Sequence, residues 1–288
     1  MSRISRFLRG VYPAAQLQRS RVQLSAGNLN TDFEPSSGRP IIDVTGKLIV
    51  ELLAKKGKNV RPAVRDEKKG AAFKSLGSSV EGPVSADVTK LDTLAGAITG
   101  ASAVIFAASA SSKGGSAQQV DYVGVENVAK ECVRLGIPRL IVISSGAITK
   151  PDSLGFKITN LFGGIMDYKL KGENALRNVY SGAEKSSGFV IIRPGGLMDN
   201  FASGVGSIEL NQGDTISGEV NRADVAECAV AAALSSTIPR NVIFEMYEGG
   251  RSSPLQKEFP AVSGFERSGA TLGADYEILF KGLKSDSS

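Results

Sequence analysis

The stretch Gln118–Ser145, QQVDYVGVENVAKECVRLGIPRLIVISS, decides the fold class. Its first part reads as an amphipathic helix that stops at Gly136, and a β-branched apolar run, Leu140–Ser144, follows at once. The same alternation recurs outward. Apolar runs stand at Ile41–Val44, Val60–Val64, Val80–Val84, Ala103–Ala107, Phe189–Ile192 and Val242–Met246. Between them lie the helix-like segments LIVELLAKKG, closed by Gly57, and LDTLAGAITG, closed by Gly100, followed later by IMDYKLKGENALRNV and ADVAECAVAAAL. Glycine just past a helix accepts the left-handed turn that ends it. Asn221, ahead of the last helix, suits an N-cap. Strands alternating with helices predict βαβ units, hence an α/β, doubly wound, mainly parallel sheet with helices on both faces. The runs lack polar–apolar alternation, as expected of strands covered on both sides. Pro83 lies inside the third run. It cannot donate to a ladder, so this strand is expected at a sheet edge, where a sheet ordered 3-2-1-4-5-6 puts its third strand.

Charge and composition exclude several functions. The net charge of +5 matches the five arginines of residues 1–31, a segment without an acid, so the remainder is near neutral and no nucleic-acid partner is expected. The segment SRISRFLRGVY places Ile4, Phe7, Leu8 and Val11 on one helical face. Arg-rich, Ser-containing and acid-free, it has the composition of an organelle transit peptide, and chloroplast and mitochondrion stay open. There is no histidine, which removes a Ser-His-Asp triad and His-ligated metal; no metal site is expected. Cys132 and Cys228 form no CxxC and suggest a reducing compartment. No apolar run of transmembrane length occurs. The expected organisation is a transit peptide at 1–31, a linker at 32–40, an NAD(P)-binding-like domain at 41–248 and an irregular tail at 249–288.

Several motifs in order carry a family resemblance. DVTGKLIVELLAKKGKNVRPAVRDEKKG, SADVTKLDTLAGAITGASAVIFAAS, VDYVGVENVAKECVRLGIPRLIVISS, MDYKLKGENAL, IIRPGGLMDN and NRADVAECAVAAAL resemble, over residues 41–247, an atypical short-chain dehydrogenase/reductase with a Rossmann sheet. The nearest subgroup holds flavin-reductase-like proteins, NmrA-like regulators and the dehydrogenase-like component of the chloroplast import machinery. The resemblance implies NADP as cofactor. Arg65, in the sequence VRD, would meet the 2′-phosphate, for which a guanidinium is suited. Asp87 and Val88 would border the adenine, and Ala107, Ala108 and Ser109 would let the cofactor approach. Lys169 matches the family's lysine by its spacing to Glu173, Ser144 and Ser145 match its serine, and Pro194 and Gly195 would line the nicotinamide pocket. Each also has a plain structural reading: a solvated Arg-Asp turn, a helix start at Asp87, small residues for packing, a surface lysine, a strand-ending turn.

Two departures matter. Gly46 is the last glycine of a dinucleotide loop that is otherwise missing, since no two glycines in the chain stand three apart. Pro40 offers no N–H to a phosphate and Asp43 would repel one. The tyrosine expected four residues before Lys169 is Ile165, and no tyrosine here has a lysine four residues on. Tyr168 points about 100° away on the same helix. Two functions therefore stay open: an NADP(H)-binding reductase whose proton does not come from tyrosine, acting on a small molecule, with Ser145 and Lys169 as catalytic candidates; and a catalytically silent Rossmann subunit of an organelle protein complex.

Overall fold

Helix α1 (Val44–Lys55) ends where the sequence places a glycine. Gly57 has φ 64°, and the bonds Lys58 N–Leu53 O (3.0 Å) and Gly57 N–Ala54 O (2.9 Å) close the last turn. The structure is a computed structural model, and it describes residues 44–110, 115–161, 163–255 and 275–286. Strand β1 (Ala63–Val64), helix α2 (Glu67–Gly70), strand β2 (Val84–Ser85), helix α3 (Ala95–Ile98) and strand β3 (Val104–Phe106) follow. A π-helical segment, Gln118–Gly124, then runs into α4 (Val125–Arg134), which closes at Gly136 (φ 65°) through Ile137 N–Cys132 O at 2.8 Å. The remaining elements are β4 (Arg139–Ile143), α5 (Leu154–Asn160), α6 (Ile165–Ser181), β5 (Gly188–Pro194), β6 (Gly196–Met198), β7 (Ile208–Asn211), β8 (Ile216–Asn221), α7 (Arg222–Leu234), β9 (Val242–Glu248), β10 (Ser252–Pro254) and α8 (Tyr276–Lys281).

The main sheet has the order β3-β4-β5-β9-β7, with only β7 antiparallel. Its strands are buried on both faces. Ile141, Ile143, Val190, Ile192, Val242 and Phe244 join α1 and α7 residues in one core; Leu140, Val142, Phe189, Ile191 and Ile243 join α4 and α6 residues in another. Two helical layers on one parallel sheet make the doubly wound α/β architecture, and they explain why the apolar runs do not alternate. Strands β1 and β2 pair in parallel; Pro83 stands just before β2, and among the described residues neither strand has a second partner. Of the expected first strand, residues 41–43 lie outside the described residues, and Val44 is the first residue of α1. The linker and the residues 1–31 also lie outside them. Among the described residues no helix is long and apolar enough to cross a membrane.

Three expectations change. The segment from Leu91 to Gly100 is broken into a 3-10 turn and the one-turn α3. Asn221 does occupy the N-cap position of α7, but its amide donates to Ser203 Oγ (2.9 Å) instead of accepting from the helix. The stretch read as an irregular tail supplies β10 and α8. Asp275 caps α8 by accepting from Ile278 N at 3.0 Å, and Tyr276, Leu279 and Phe280 enter the first core. Phe280 lies 6.1 Å from the Phe244 ring and 5.9 Å from that of Tyr276, centroid to centroid.

Beneath the C-terminal ends of the strands runs a buried ionic chain. Arg193 of β5 donates to Glu173 of α6 through Nη2 (2.6 Å) and Nε (3.2 Å), and to Glu245 of β9 through Nη1 (3.3 Å). Glu245 Oε2 accepts from Asn211 (3.3 Å) and from the backbone N–H of Asp214 (3.0 Å). Asp214 in turn accepts from Ala147 N (2.6 Å), Thr149 N (2.8 Å) and Thr149 Oγ1 (2.8 Å). Both Ala147 (φ 62°) and Asp214 (φ 56°) hold left-handed backbone, which these bonds must compensate. One guanidinium thus faces three carboxylates. Burial first, and the Asp214 charge second, push the Glu245 carboxyl up to about 7, against the pull of Arg193.

Two measurements test these contacts. Phe280→Ala should lower unfolding free energy by about 3–5 kcal/mol, as for a buried aromatic truncated to alanine, read from the urea midpoint; an effect typical of a surface residue would remove α8 from the core. For Glu245, the folded-state pKa stands above the carboxyl's ordinary 4.5. The folded chain therefore holds this proton more tightly, and stability from this group is full below about pH 4.5 and lost as pH rises toward 7. Between pH 5 and pH 8 the melting temperature of the native chain should fall more than that of Glu245→Gln, the difference being on the order of 5 °C. Parallel pH profiles of the two would contradict the raised pKa.

Candidate functional site

In open α/β sheets, ligands sit beyond the carboxyl ends of the strands. Arg65 and Asp66 leave the end of β1, exposed. Asp66 caps α2 by accepting from Lys68 N at 3.0 Å, so its carboxylate has a structural task. Register places Val64 opposite Ser85, which brings the Arg65 end of β1 beside Asp87 beyond β2. The Asp87 carboxylate accepts from Thr89 N (3.0 Å) and Thr89 Oγ1 (2.8 Å). Although partial burial opposes it, these bonds together with Lys90 and Arg65 hold its carboxyl below the usual range. Asp87 is therefore charged and turned toward its own loop. Val88 is half-buried, and its carbonyl accepts from Asn127 at 3.0 Å, tying this loop to α4. Gly46 stands in the first turn of α1, while Pro40 and Asp43 lie outside the described residues.

The opposite side is built around a residue that the motif reading passed over. Asp121, on the π-helical segment, is buried. Its Oδ1 accepts from Ser109 Oγ (2.9 Å) and pairs with Lys169 Nζ (2.8 Å); its Oδ2 accepts from Ala110 N (2.9 Å). Lys169 is thus no solvated surface lysine: its side chain is only 12% exposed. The helices carrying the pair meet at Gly172, where a Cβ would stand 2.1 Å from the Asp121 carbonyl oxygen, so no larger residue fits without moving the backbone. Ala107 and Ala108, half-buried past the end of β3, lead into this Asp121-bound corner. Ile165, in the tyrosine position, packs with Ile148, Phe156 and Met166. Tyr168 lies under the Lys171 ammonium, with Nζ 4.9 Å from its ring centroid, and supplies no phenol to Lys169's side.

The loop after β4 is stitched to the end of β5. Ser144 N donates to Ile192 O (2.7 Å), and Gly146 N donates to Pro194 O (2.8 Å). Ser145 is half-buried, and its hydroxyl makes one long bond to Gly146 O at 3.2 Å. Ser144, rather than Ser145, shares a small cavity with Lys169, Asp121 and Glu173. Gly195 donates to Met246 O (3.0 Å), and a Cβ there would lie 2.3 Å from Gly218 O, so this glycine is demanded by the approach of β8 as well. The sequence offered one sign of Asp121, an acid among the apolar positions Val120, Gly124 and Val125 of a helix. Asp214 offered none, because QGDT reads as an ordinary turn. Cys132 and Cys228 are free and buried, and burial first, with Glu131 second, pushes the Cys132 thiol up to about 12, which leaves it unreactive.

Comparisons with known proteins agree with this architecture. A family of NAD(P)H-binding proteins matches residues 44–236. A chloroplastic protein of Arabidopsis thaliana is 32% identical over 204 residues, covering 66% of this chain and 68% of the relative. Sanguinarine reductase of Eschscholzia californica is 32% identical over 119 residues, 40% of each chain. Among solved structures, ChuY, an anaerobillin reductase from Escherichia coli O157:H7, superposes with a TM-score of 0.57 at 20% identity over 73% of this chain and 93% of its own length. With a doubly wound sheet of Rossmann type and a family match over most of its length, the chain belongs to the NAD(P)H-binding family.

Proposed function

We propose that this protein binds NADP(H) and acts as a reductase on a small, conjugated hydride acceptor. The observation that carries the reading is the Lys169–Asp121 pair at 2.8 Å, a buried, built ionic site at the carboxyl ends of β3 and β4. A surface lysine without a role has no need of a buried carboxylate, whose burial is costly unless paired. Residues along the carboxyl ends of the strands would contact the cofactor. Arg65, exposed at the tip of β1, would hold the 2′-phosphate, and Asp87 and Val88 would border the adenine. Gly46 would lie at the helix end facing the pyrophosphate. Ala107, Ala108, Lys169, Pro194 and Gly195 would surround the nicotinamide ribose and ring. Hydride chemistry belongs to the nicotinamide; this chain binds, orients and excludes water. Ser145 and Lys169 would orient the acceptor.

The proton is the constraint. Ile165 leaves no phenol beside Lys169, and the Lys169 charge is shared with Asp121. An acceptor that stabilises the incoming electron pair within its own conjugation, as a flavin or quinone does, needs no strong acid from the protein. That the relative from Eschscholzia californica is named a reductase supports this class. The second reading, a silent Rossmann subunit of an organelle complex, draws on the same Ile165 and on the absent glycine loop. Residues 1–31 would direct the protein to an organelle, and the chloroplastic relative favours the chloroplast.

Titration of purified protein lacking residues 1–31 with NADPH and NADH decides between the readings. We expect NADPH to bind more tightly, and Arg65→Ala to weaken NADPH by about 1.5–3 kcal/mol, the range for a hydrogen bond to a charged group, while sparing NADH. Equal losses for both cofactors would refute the role of Arg65, and no binding of either would favour the silent subunit. A fluorescent protein fused behind residues 1–31 should accumulate in chloroplasts of leaf protoplasts; a cytosolic signal would reject the targeting assignment.

A further inference from the structure

Ser144 has no part in the function proposed above, yet it is a buried polar residue that needs an explanation. The residue is 8% exposed, and among the described residues its Oγ finds no hydrogen-bond partner. Native folds seldom leave a buried hydroxyl unsatisfied. Ser144 lines a cavity of about 10 Å³ whose other polar walls are Asp121, Lys169 and Glu173, with Phe106 and Val142 on the apolar side. That is about the room one water molecule requires, given two to four polar partners.

We propose that this cavity is a hydration site holding a single ordered water, which accepts from Lys169 Nζ and Ser144 Oγ and donates to the carboxylates of Glu173 and Asp121. The bonding capacity is available. The Lys169 ammonium has three donors and spends one on Asp121. Asp121 Oδ2 accepts from Ala110 N and retains a lone pair, and each Glu173 oxygen takes one bond from Arg193 and retains another. The ammonium at the cavity wall makes a metal ion an unsuitable occupant. The consequence is that two buried charge systems become one: the Lys169–Asp121 pair joins the Glu173–Arg193–Glu245–Asp214 chain, and the position of Lys169 depends on Ser144.

A crystal structure of the purified protein at about 1.5 Å resolution should show one peak within hydrogen-bond distance of Ser144 Oγ and Lys169 Nζ. The sign of a mild substitution supplies a second test. If Ser144 Oγ is unsatisfied, Ser144→Ala removes a costly group and the melting temperature stays the same or rises. If it holds the water, Ser144→Ala lowers the melting temperature by about 2–4 °C, the shift expected for one lost hydrogen bond in a chain of this size, and the peak disappears from the variant's map. An empty cavity in the native map, or an alanine variant at least as stable as the native chain, overturns the proposal.

Discussion

Arg193 is a full positive charge with 4% exposure, and burying it dictates what stands around it. The desolvation of such a charge costs several kcal/mol and is offset only by close, well-oriented acceptors. Glu173 supplies both oxygens and Glu245 a third, so α6, β5 and β9 are pinned to one another at the ends of the strands. The pinning extends farther, because Glu245 holds the Asp214 backbone and Asp214 holds the loop that follows β4. The loop bearing Ser145 and the helix bearing Lys169 are therefore set by the same buried charge. Replacing Arg193 would leave three carboxylates facing one another in a poorly solvated interior, so the site and the fold would fail together.

Asp121 plays the corresponding part on the other wall. Its carboxylate sits between the residues after β3 and the Lys169 ammonium, and Gly172 lets the two backbones come close enough for that geometry. The π-helical turn that carries Asp121 widens the helix at this point, and such bulges are frequent at functional sites. Where a solvated lysine would wander among rotamers, a paired one keeps its ammonium in place before any ligand arrives. That preorganisation lowers the cost of binding whatever the ammonium contacts.

Much of this was legible in the sequence. The doubly buried strands announced themselves as unbroken apolar runs, Gly57 and Gly136 marked helix ends, and the spacing to Glu173 singles out Lys169, although not its pairing with Asp121. What escaped depended on partners distant along the chain. Asp121 meets a lysine on another helix, Asp214 looks like any turn residue until Ala147 and Thr149 reach it, and Glu245 hides within an apolar strand. Helix α8 escaped for another reason: it is six residues long, and its apolar positions Tyr276, Leu279 and Phe280 have meaning only against Phe244 and the first core. Strands β6, β7 and β8 are short and rich in polar or glycine residues, and they form through pairing with one another, with β9 and with β10.

The substitution at the tyrosine position carries the argument to chemistry. Ile165 is not a polar residue that has merely changed its donor; it belongs to an apolar cluster with Ile148, Phe156 and Met166. Placing a phenol there would crowd that cluster, and its hydroxyl would meet a lysine already committed to Asp121. In proteins that use a lysine-activated phenol, the free ammonium lowers the phenol's pKa. Here the carboxylate at 2.8 Å cancels most of that field. Under the proposed reductase function the site would give up acid strength and keep positional precision. Such a trade suits a reaction whose acceptor holds its own developing charge, and it works against reduction of an isolated carbonyl, whose alkoxide must be protonated as it forms.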